Sequence, residues 1–146
     1  MNRKDFIVRC AACLGLPALG IIFPGCGATR YVDAAIEGSE LVVPMTSFEV
    51  VDKSGKKTVL NYVVAQNDKL EYPVSVFRLA NGDYSALLMR CTHQGTELQV
   101  FGDRLQCPAH GSEFTNAGTV VNGPADTNLR KFPVRMDGST IKVNLS

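Results

Sequence analysis

The chain has 146 residues, of which 45% are hydrophobic and 20% are charged, a balance that is typical of one globular domain and excludes an intrinsically disordered protein. Its formal net charge is +1, and its longest basic run is the pair Lys56-Lys57. Nucleic-acid binding requires a clustered basic face, so we expect no nucleic-acid partner.

The first 26 residues predict an export leader. Arg3, Lys4 and Arg9 form a positive start, and the apolar run over 10–24 that follows is shorter than the roughly 20 residues of a membrane-spanning helix. A buried N-terminal helix and an uncleaved membrane anchor are the alternatives. The segment 2–8 also resembles a twin-arginine export signal, with Lys4 at the position of the second arginine.

The leader ends on Phe23-Pro24-Gly25-Cys26, which resembles the lipobox of bacterial lipoproteins, with Phe in place of the usual Leu and Pro at the second position. The resemblance implies that Cys26 is acylated. Residues 27–146 would then be an exported, membrane-tethered domain of the cell envelope that faces the periplasm or the exterior. A plain cleaved leader with an incidental cysteine is the alternative.

Residues 27–146 contain short runs of β-branched and aromatic residues that are separated by turn signals, and no window sustains a helical period. Asn81-Gly82 between two runs is the strongest short hairpin signal, and Asp137-Gly138 repeats this design. We therefore expect an all-β fold, an antiparallel sandwich or barrel. The predicted strand runs are 31–36, 41–43, 48–51, 59–64, 74–79, 84–89, 105–106, 132–136 and 140–143.

Two short segments hold both histidines of the chain and the two cysteines that lie beyond the leader. Cys91 and His93 follow the predicted strand 84–89, and Cys107 and His110 follow the predicted strand 105–106 after a turn at 101–104. Each segment therefore offers one thiol and one imidazole from a loop that follows a strand. The two segments together predict one metal centre.

The residue types alone leave several centres open. Two thiols in an exported protein are compatible with a disulfide, although a disulfide gives no reason for the neighbouring histidines. Two cysteines and two histidines are also a standard zinc set, but zinc fingers usually keep the cysteine pair and the histidine pair on separate elements. Mononuclear iron is a further alternative. A [2Fe–2S] cluster with two cysteines on one iron and two histidines on the other fits the mixed segments.

Cys91-Thr92-His93-Gln94-Gly95 and Cys107-Pro108-Ala109-His110-Gly111-Ser112 resemble the two cluster-binding loops of Rieske iron–sulfur proteins. Asn122-Gly123-Pro124-Ala125 resembles the proline-rich loop that covers the cluster in that family. The resemblance implies a Rieske-type antiparallel fold over 27–146, with a small subdomain of two cluster-binding loops at about 90–125.

The same resemblance implies one [2Fe–2S] cluster, with Cys91 and Cys107 on the inner iron and His93 and His110 on the outer, more exposed iron. Two ferric ions, two sulfides and two thiolates sum to zero charge when the imidazoles are neutral. Adding an electron to a neutral cluster is easier than adding one to a four-thiolate cluster, so the potential exceeds that of a plant-type ferredoxin.

Several positions depart from the respiratory members of that family. Thr96 and Ala109 stand where those proteins carry a second cysteine pair, so we expect no disulfide between the loops. Ser112 keeps the position of a serine that bonds a bridging sulfide, whereas Phe114 replaces a tyrosine that often donates to a cysteine sulfur. Hydrogen bonds to cluster sulfur raise the potential, so we expect a lower potential than theirs. Gln94 replaces a leucine that suits a quinol pocket.

These features predict a one-electron carrier of the cell envelope with a redox protein partner, either a cytochrome or the large subunit of an oxidoreductase. The alternative is the small Rieske subunit of an envelope oxidoreductase, arsenite-oxidase-like or quinol-oxidising. A soluble ferredoxin of a ring-hydroxylating dioxygenase fits less well, because such ferredoxins work in the cytosol. No catalytic triad or carboxylate pair marks a substrate site, so whether the chain is itself an enzyme stays open.

Overall fold

The computed structural model describes residues 28–146, so the predictions for the leader and for Cys26 lie outside the described residues. The described part is built of strands, and its only helical element is the 3-10 helix Met45–Phe48. No helix within it is both long enough and apolar enough to cross a membrane. The strands are β1 Tyr31–Asp33, β2 Ala35–Glu37, β3 Glu40–Pro44, β4 Glu49–Val51, β5 Lys57–Val59, β6 Tyr62–Gln66, β7 Val74–Arg78, β8 Tyr84–Leu88, β9 Gln99–Phe101, β10 Arg104–Gln106, β11 Glu113–Thr115, β12 Val120–Asn122, β13 Lys131–Phe132, β14 Val134–Asp137 and β15 Thr140–Asn144.

These strands form a five-stranded sheet in the order β1-β6-β7-β8-β13, two four-stranded sheets in the orders β14-β15-β3-β2 and β12-β11-β10-β9, and the hairpin β4-β5. All pairings are antiparallel except that of β1 with β6. The all-β, antiparallel expectation is confirmed. We call β1-β6-β7-β8-β13 the central sheet and β12-β11-β10-β9 the small sheet.

The central sheet is buried on both faces because a separate apolar cluster covers each one. Successive side chains of a strand point to opposite faces. On β7, Val74 and Val76 enter the cluster shared with β3 and β15, whereas Phe77 enters the cluster shared with the small sheet. Burial on both faces explains why β7 and β8 read as nearly continuous apolar runs rather than as alternating ones.

The second of these clusters connects the fold to the predicted metal centre. It contains Cys91 and Cys107 together with apolar side chains from the central and small sheets. The two thiols are therefore part of the hydrophobic core. The other members of this cluster are Val64, Phe77, Leu87, Met89, Leu98, Leu105, Phe114, Ala125 and Leu129.

The structure confirms both predicted hairpins but divides three predicted strands. Gly82 and Gly138 adopt positive φ angles of 88° and 59° in the turns of β7–β8 and β14–β15. The run 59–64 is wrong as one strand, since Val59 pairs within β4–β5 while Tyr62 begins the central-sheet strand β6. The runs 31–36 and 132–136 divide in the same way where the chain passes from the central sheet to β2 and to β14.

Candidate metal centre

The first loop, residues 91–96, is a tight turn that follows β8. The Cys91 N–H donates to the Thr96 carbonyl at 2.8 Å, and the Gly95 N–H donates to the Cys91 carbonyl at 2.9 Å. Gly95 has a φ of +78°, which favours glycine over any residue with a side chain. The loop therefore returns on itself and holds His93 at its exposed tip.

The second loop, residues 107–112, repeats this backbone design after β10. The Cys107 N–H donates to the Ser112 carbonyl at 2.8 Å, and the Gly111 N–H donates to the Cys107 carbonyl at 3.0 Å. Gly111 has a φ of +80°, close to that of its counterpart in the first loop. The repeat explains why each segment carries a cysteine at its start and a glycine four residues later.

The structure brings the two predicted thiols together in the core and the two predicted imidazoles together at the surface. Cys91 and Cys107 are 2% and 3% exposed, and neither is in a disulfide. His93 and His110 are both exposed, and their ring centroids lie 5.0 Å apart with the rings perpendicular. Within residues 28–146, no three His, Cys, Asp or Glu side chains are gathered where one metal ion would sit.

The surroundings of Cys107 favour its thiolate form. Burial raises the pKa of this thiol, but the backbone N–H groups of Ala109 and His110 and the side chains of Cys91 and Thr96 act in the opposite sense. The pKa of Cys107 is lowered overall. The thiolate is the form that binds metal, so the direction of this shift suits the role predicted for Cys107.

A third loop, residues 122–129, is attached to both cysteine loops. The Ala125 N–H donates to the Ser112 hydroxyl oxygen at 3.0 Å, and the Thr92 hydroxyl donates to the Thr127 carbonyl at 2.7 Å. The predicted residues Gly123 and Pro124 of this loop are exposed. The third loop thus lies against the two others through neighbours of the predicted pair.

The remaining predicted residues near the centre, Ser112 and Phe114, are both fully buried. Phe114 packs in the core cluster that also contains both thiols, in agreement with its lack of a polar group. The Ser112 hydroxyl oxygen accepts one hydrogen bond, and within residues 28–146 no protein acceptor takes its own hydrogen. A buried donor in the loop that begins at Cys107 fits a sulfur-containing cluster, because buried donors are normally satisfied.

The first loop has a further support that the sequence did not reveal. The Tyr72 hydroxyl donates to the Gly95 carbonyl at 2.7 Å, and the Arg90 guanidinium lies 5.8 Å from the centre of the Tyr72 ring. A Cβ atom on Gly95 would lie 3.3 Å from Arg90 Nε. Tyr72 is far from the loop in sequence and belongs to no motif, so only the folded chain shows this contact.

Comparisons with known proteins agree with this geometry. The family model described as the Rieske [2Fe–2S] domain matches residues 45–133. The cytochrome b6-f complex iron-sulfur subunit of Synechococcus sp. (strain JA-3-3Ab) is 26% identical in an alignment that is 160 positions long with its gaps and spans 97% of this chain and 86% of that subunit. The cyanobacterial plasma membrane Rieske protein of Synechocystis PCC 6803 has a solved structure that aligns with a TM-score of 0.52 and 31% identity, over 57% of this chain and 86% of that one.

A further relative is much longer than the chain. The oxygenase component of dicamba O-demethylase from Stenotrophomonas maltophilia is 36% identical in an alignment that is 75 positions long with its gaps and spans 44% of this chain but only 22% of that component. The similarity is thus confined to a domain that such proteins share. Together with the family match over residues 45–133, it confirms that the chain belongs to the Rieske [2Fe–2S] family.

Proposed function

We propose that Cys91 and Cys107 bind the inner iron of one [2Fe–2S] cluster, that His93 and His110 bind the outer iron, and that the chain carries single electrons. The observation that carries this proposal is the placement of two buried thiols beneath two exposed imidazoles whose ring centroids are 5.0 Å apart. When bound, the cluster supplies reversible one-electron chemistry at this place.

The protein residues contribute burial on one side of the centre and access on the other. The apolar cluster around Cys91 and Cys107 excludes water from the thiolate side. The exposed rings of His93 and His110 give a redox partner a short path to the centre. Ser112 supplies a buried hydroxyl whose hydrogen remains free to bond cluster sulfur, which favours the reduced form.

We also propose that noncovalent contacts take the place of a disulfide between the cysteine loops. Thr96 and Ala109 carry no thiol, so those positions cannot form such a bridge. The Tyr72 bond to Gly95 and the contacts of the third loop with Thr92 and Ser112 are the supports available instead.

The proposed cellular setting is a lipid-tethered domain of the cell envelope. Residues 1–26 serve as the export leader, Cys26 is acylated, and residues 27–146 face the periplasm or the exterior. The basic start, the short apolar run and the lipobox-like ending support this proposal. The similarity to a plasma membrane Rieske protein is in agreement with membrane association.

The proposed partner is a redox protein, either a cytochrome or the large subunit of an envelope oxidoreductase. The relative that covers 97% of the chain is an iron-sulfur subunit of a cytochrome b6-f complex, which supports a partner of the cytochrome type. The second candidate function is that of the small Rieske subunit of a quinol-oxidising or arsenite-oxidase-like complex. In such a complex the chain would pass electrons from one protein to another.

EPR spectroscopy of the reduced full-length protein tests the cluster, together with iron, sulfide and zinc analysis. We expect two irons, two sulfides and an EPR signal with nitrogen couplings from two histidines. A redox titration measures the expected midpoint below that of the respiratory members. Zinc in place of iron, with no EPR signal after reduction, would contradict the proposal.

A further inference from the structure

Three of the exposed large hydrophobic side chains lie together on one surface. Tyr31, Val59 and Phe101 are 55%, 50% and 57% exposed. Tyr31 and Phe101 line a groove of about 400 Å³, and Val59 lines a second groove of about 240 Å³. Both grooves are also lined by Tyr62 and Gly102, so they adjoin. We call this surface, Tyr31, Val59 and Phe101 with the two grooves, the tether face.

The tether face is also where the described chain begins. Ala28 and Arg30 line the groove that contains Val59, and the Arg30 side chain donates to the Glu49 carbonyl at 3.0 Å. Lys57 shares one side of β5 with Val59, because side chains two apart in a strand point the same way. Apolar and aromatic side chains therefore occur beside Arg30 on this surface, while Lys57 is paired with the Glu49 carboxylate at 3.6 Å.

Cys26 is only two residues before Ala28. Each residue of an extended chain spans at most about 3.6 Å, so two residues reach about 7 Å. An acyl chain on Cys26 would thus hold a lipid surface within about 7 Å of Ala28, which lines the tether face. This step rests on the acylation of Cys26 proposed above.

The cysteine loops lie at the other end of the small sheet. Phe101 pairs with Arg104 at one end of β9–β10, and Gln99 pairs with Gln106 at the end from which the loops extend. From Arg104 to Cys107 the chain advances by about 10 Å at roughly 3.3 Å per residue, and His110 lies further along the second loop. The histidines are therefore separated from Phe101 along the strand direction, while the groove that Phe101 lines extends back to Gln99 at the loop end.

We propose that the tether face rests on a phospholipid bilayer, which turns His93 and His110 towards the aqueous phase. Tyr31 suits the boundary between headgroups and hydrocarbon, Phe101 suits the hydrocarbon side of that boundary, and Arg30 suits lipid phosphates. In this orientation the redox partner approaches the histidines from the aqueous side rather than through the membrane.

The absence of tryptophan from the sequence makes a direct test possible. Phe101→Trp places a single indole on the tether face, and Met136→Trp places one at a position of the same 57% exposure that lines neither groove. Each full-length, acylated, cluster-loaded variant is bound to phosphatidylglycerol-containing vesicles with and without brominated acyl chains. We expect brominated lipid to quench Phe101→Trp strongly and to leave Met136→Trp unchanged.

Val121→Trp reports the opposite orientation. Val121 is 46% exposed on β12, which is the edge of the small sheet opposite β9. Quenching of Val121→Trp but not of Phe101→Trp, or equal quenching of all three variants, would overturn the proposed orientation. A blue shift of Phe101→Trp without quenching by brominated lipid would place protein rather than lipid on the tether face, and would overturn it as well.

Mass spectrometry and vesicle sedimentation separate this inference from the tether on which it rests. A mature protein without an acyl chain, which does not sediment with vesicles, would refute the tether and the orientation together. An acylated protein that sediments with vesicles while Phe101→Trp stays unquenched would refute the orientation alone. The visible absorption of the cluster confirms in each case that the variant is folded and loaded.

Discussion

The two cysteine loops share one backbone design but are supported by different parts of the molecule. Both close with a hydrogen bond that the N–H of a glycine at positive φ, Gly95 or Gly111, donates to the carbonyl of the loop cysteine. Both loops bond the third loop, the first through the exposed Thr92 and the second through the buried Ser112, but the first is in addition attached to the segment between β6 and β7 through Tyr72. The local motif therefore sets the shape of each loop, and tertiary contacts set its surroundings.

The difference between the supports is one of burial. The contact of Ser112 with Ala125 is buried, whereas Tyr72 and Gly95 are only half-buried. Loss of a buried partner leaves an unsatisfied group, whereas water replaces a partner at the surface. We therefore expect the second loop to depend more on its buried Ser112 contact than the first loop depends on Tyr72.

The largest expected effect comes from removing a proposed ligand. Because each loop supplies one histidine, we expect the effect to be equal for the two loops. Replacing His93 or His110 by alanine removes one of two nitrogen ligands, so either variant should lose the cluster or hold it in an unstable form. Iron analysis and EPR of the reduced variants measure this loss. Gln94→Ala, which changes an exposed neighbour of His93, serves as the control and should retain the signal. Full retention in either histidine variant would refute that ligand assignment.

The two glycines distinguish the loops. Alanine at a positive φ costs about 1–2 kcal/mol at either position. At Gly95 the new Cβ would also lie 3.3 Å from Arg90 Nε and 3.6 Å from the Tyr72 hydroxyl, whereas at Gly111 it would meet nothing within 4 Å. We therefore expect Gly95→Ala to lower the temperature at which the cluster absorbance is lost more than Gly111→Ala does. Equal shifts would mean that Arg90 and Tyr72 move aside without cost.

These supports also show which parts of the site a sequence can reveal. Cys91, His93, Cys107 and His110 were predicted as ligands because the two loops repeat a short local pattern, and the structure places both thiols in one core cluster and both imidazoles side by side at the surface. Tyr72 was missed because its contact with Gly95 depends on how the segment between β6 and β7 packs, which leaves no local pattern.

The strand boundaries show the same difference between local patterns, which a sequence reveals, and tertiary contacts, which it does not. The hairpin at Asn81-Gly82 was predicted correctly because turn chemistry is local. The division of the run 59–64 was missed because its two halves pair with different sheets, and the Leu60 N–H bonds to the Phe48 carbonyl at 2.7 Å. An apolar run records that a segment is buried but not which neighbour covers it.

Ser112→Ala tests the support of the second loop. It removes the acceptor of the Ala125 N–H at a fully buried position, and an unsatisfied buried group costs about 1–3 kcal/mol. It also removes the one hydroxyl hydrogen that we expect to bond cluster sulfur, so the midpoint potential should fall. Chemical unfolding and a redox titration measure the two effects. Ser112→Thr, which keeps the hydroxyl, should recover the potential, and an unchanged potential in Ser112→Ala would refute the role of this hydroxyl.

Tyr72→Phe tests the support of the first loop and should have the smallest effect. The change removes the hydroxyl that donates to the Gly95 carbonyl at 2.7 Å but keeps the ring beneath Arg90. One hydrogen bond contributes about 1 kcal/mol, and at this half-buried place water can replace it, so the loss should be smaller than that in Ser112→Ala. Tyr31→Phe, at an exposed position of the central sheet, serves as the control.

The nitrogen couplings of His93 should broaden in the EPR spectrum of Tyr72→Phe, because the first loop is then held less rigidly, while those of His110 stay unchanged. Equal broadening for both histidines would show that the two loops move as one unit, and the distinction between their supports would then be wrong.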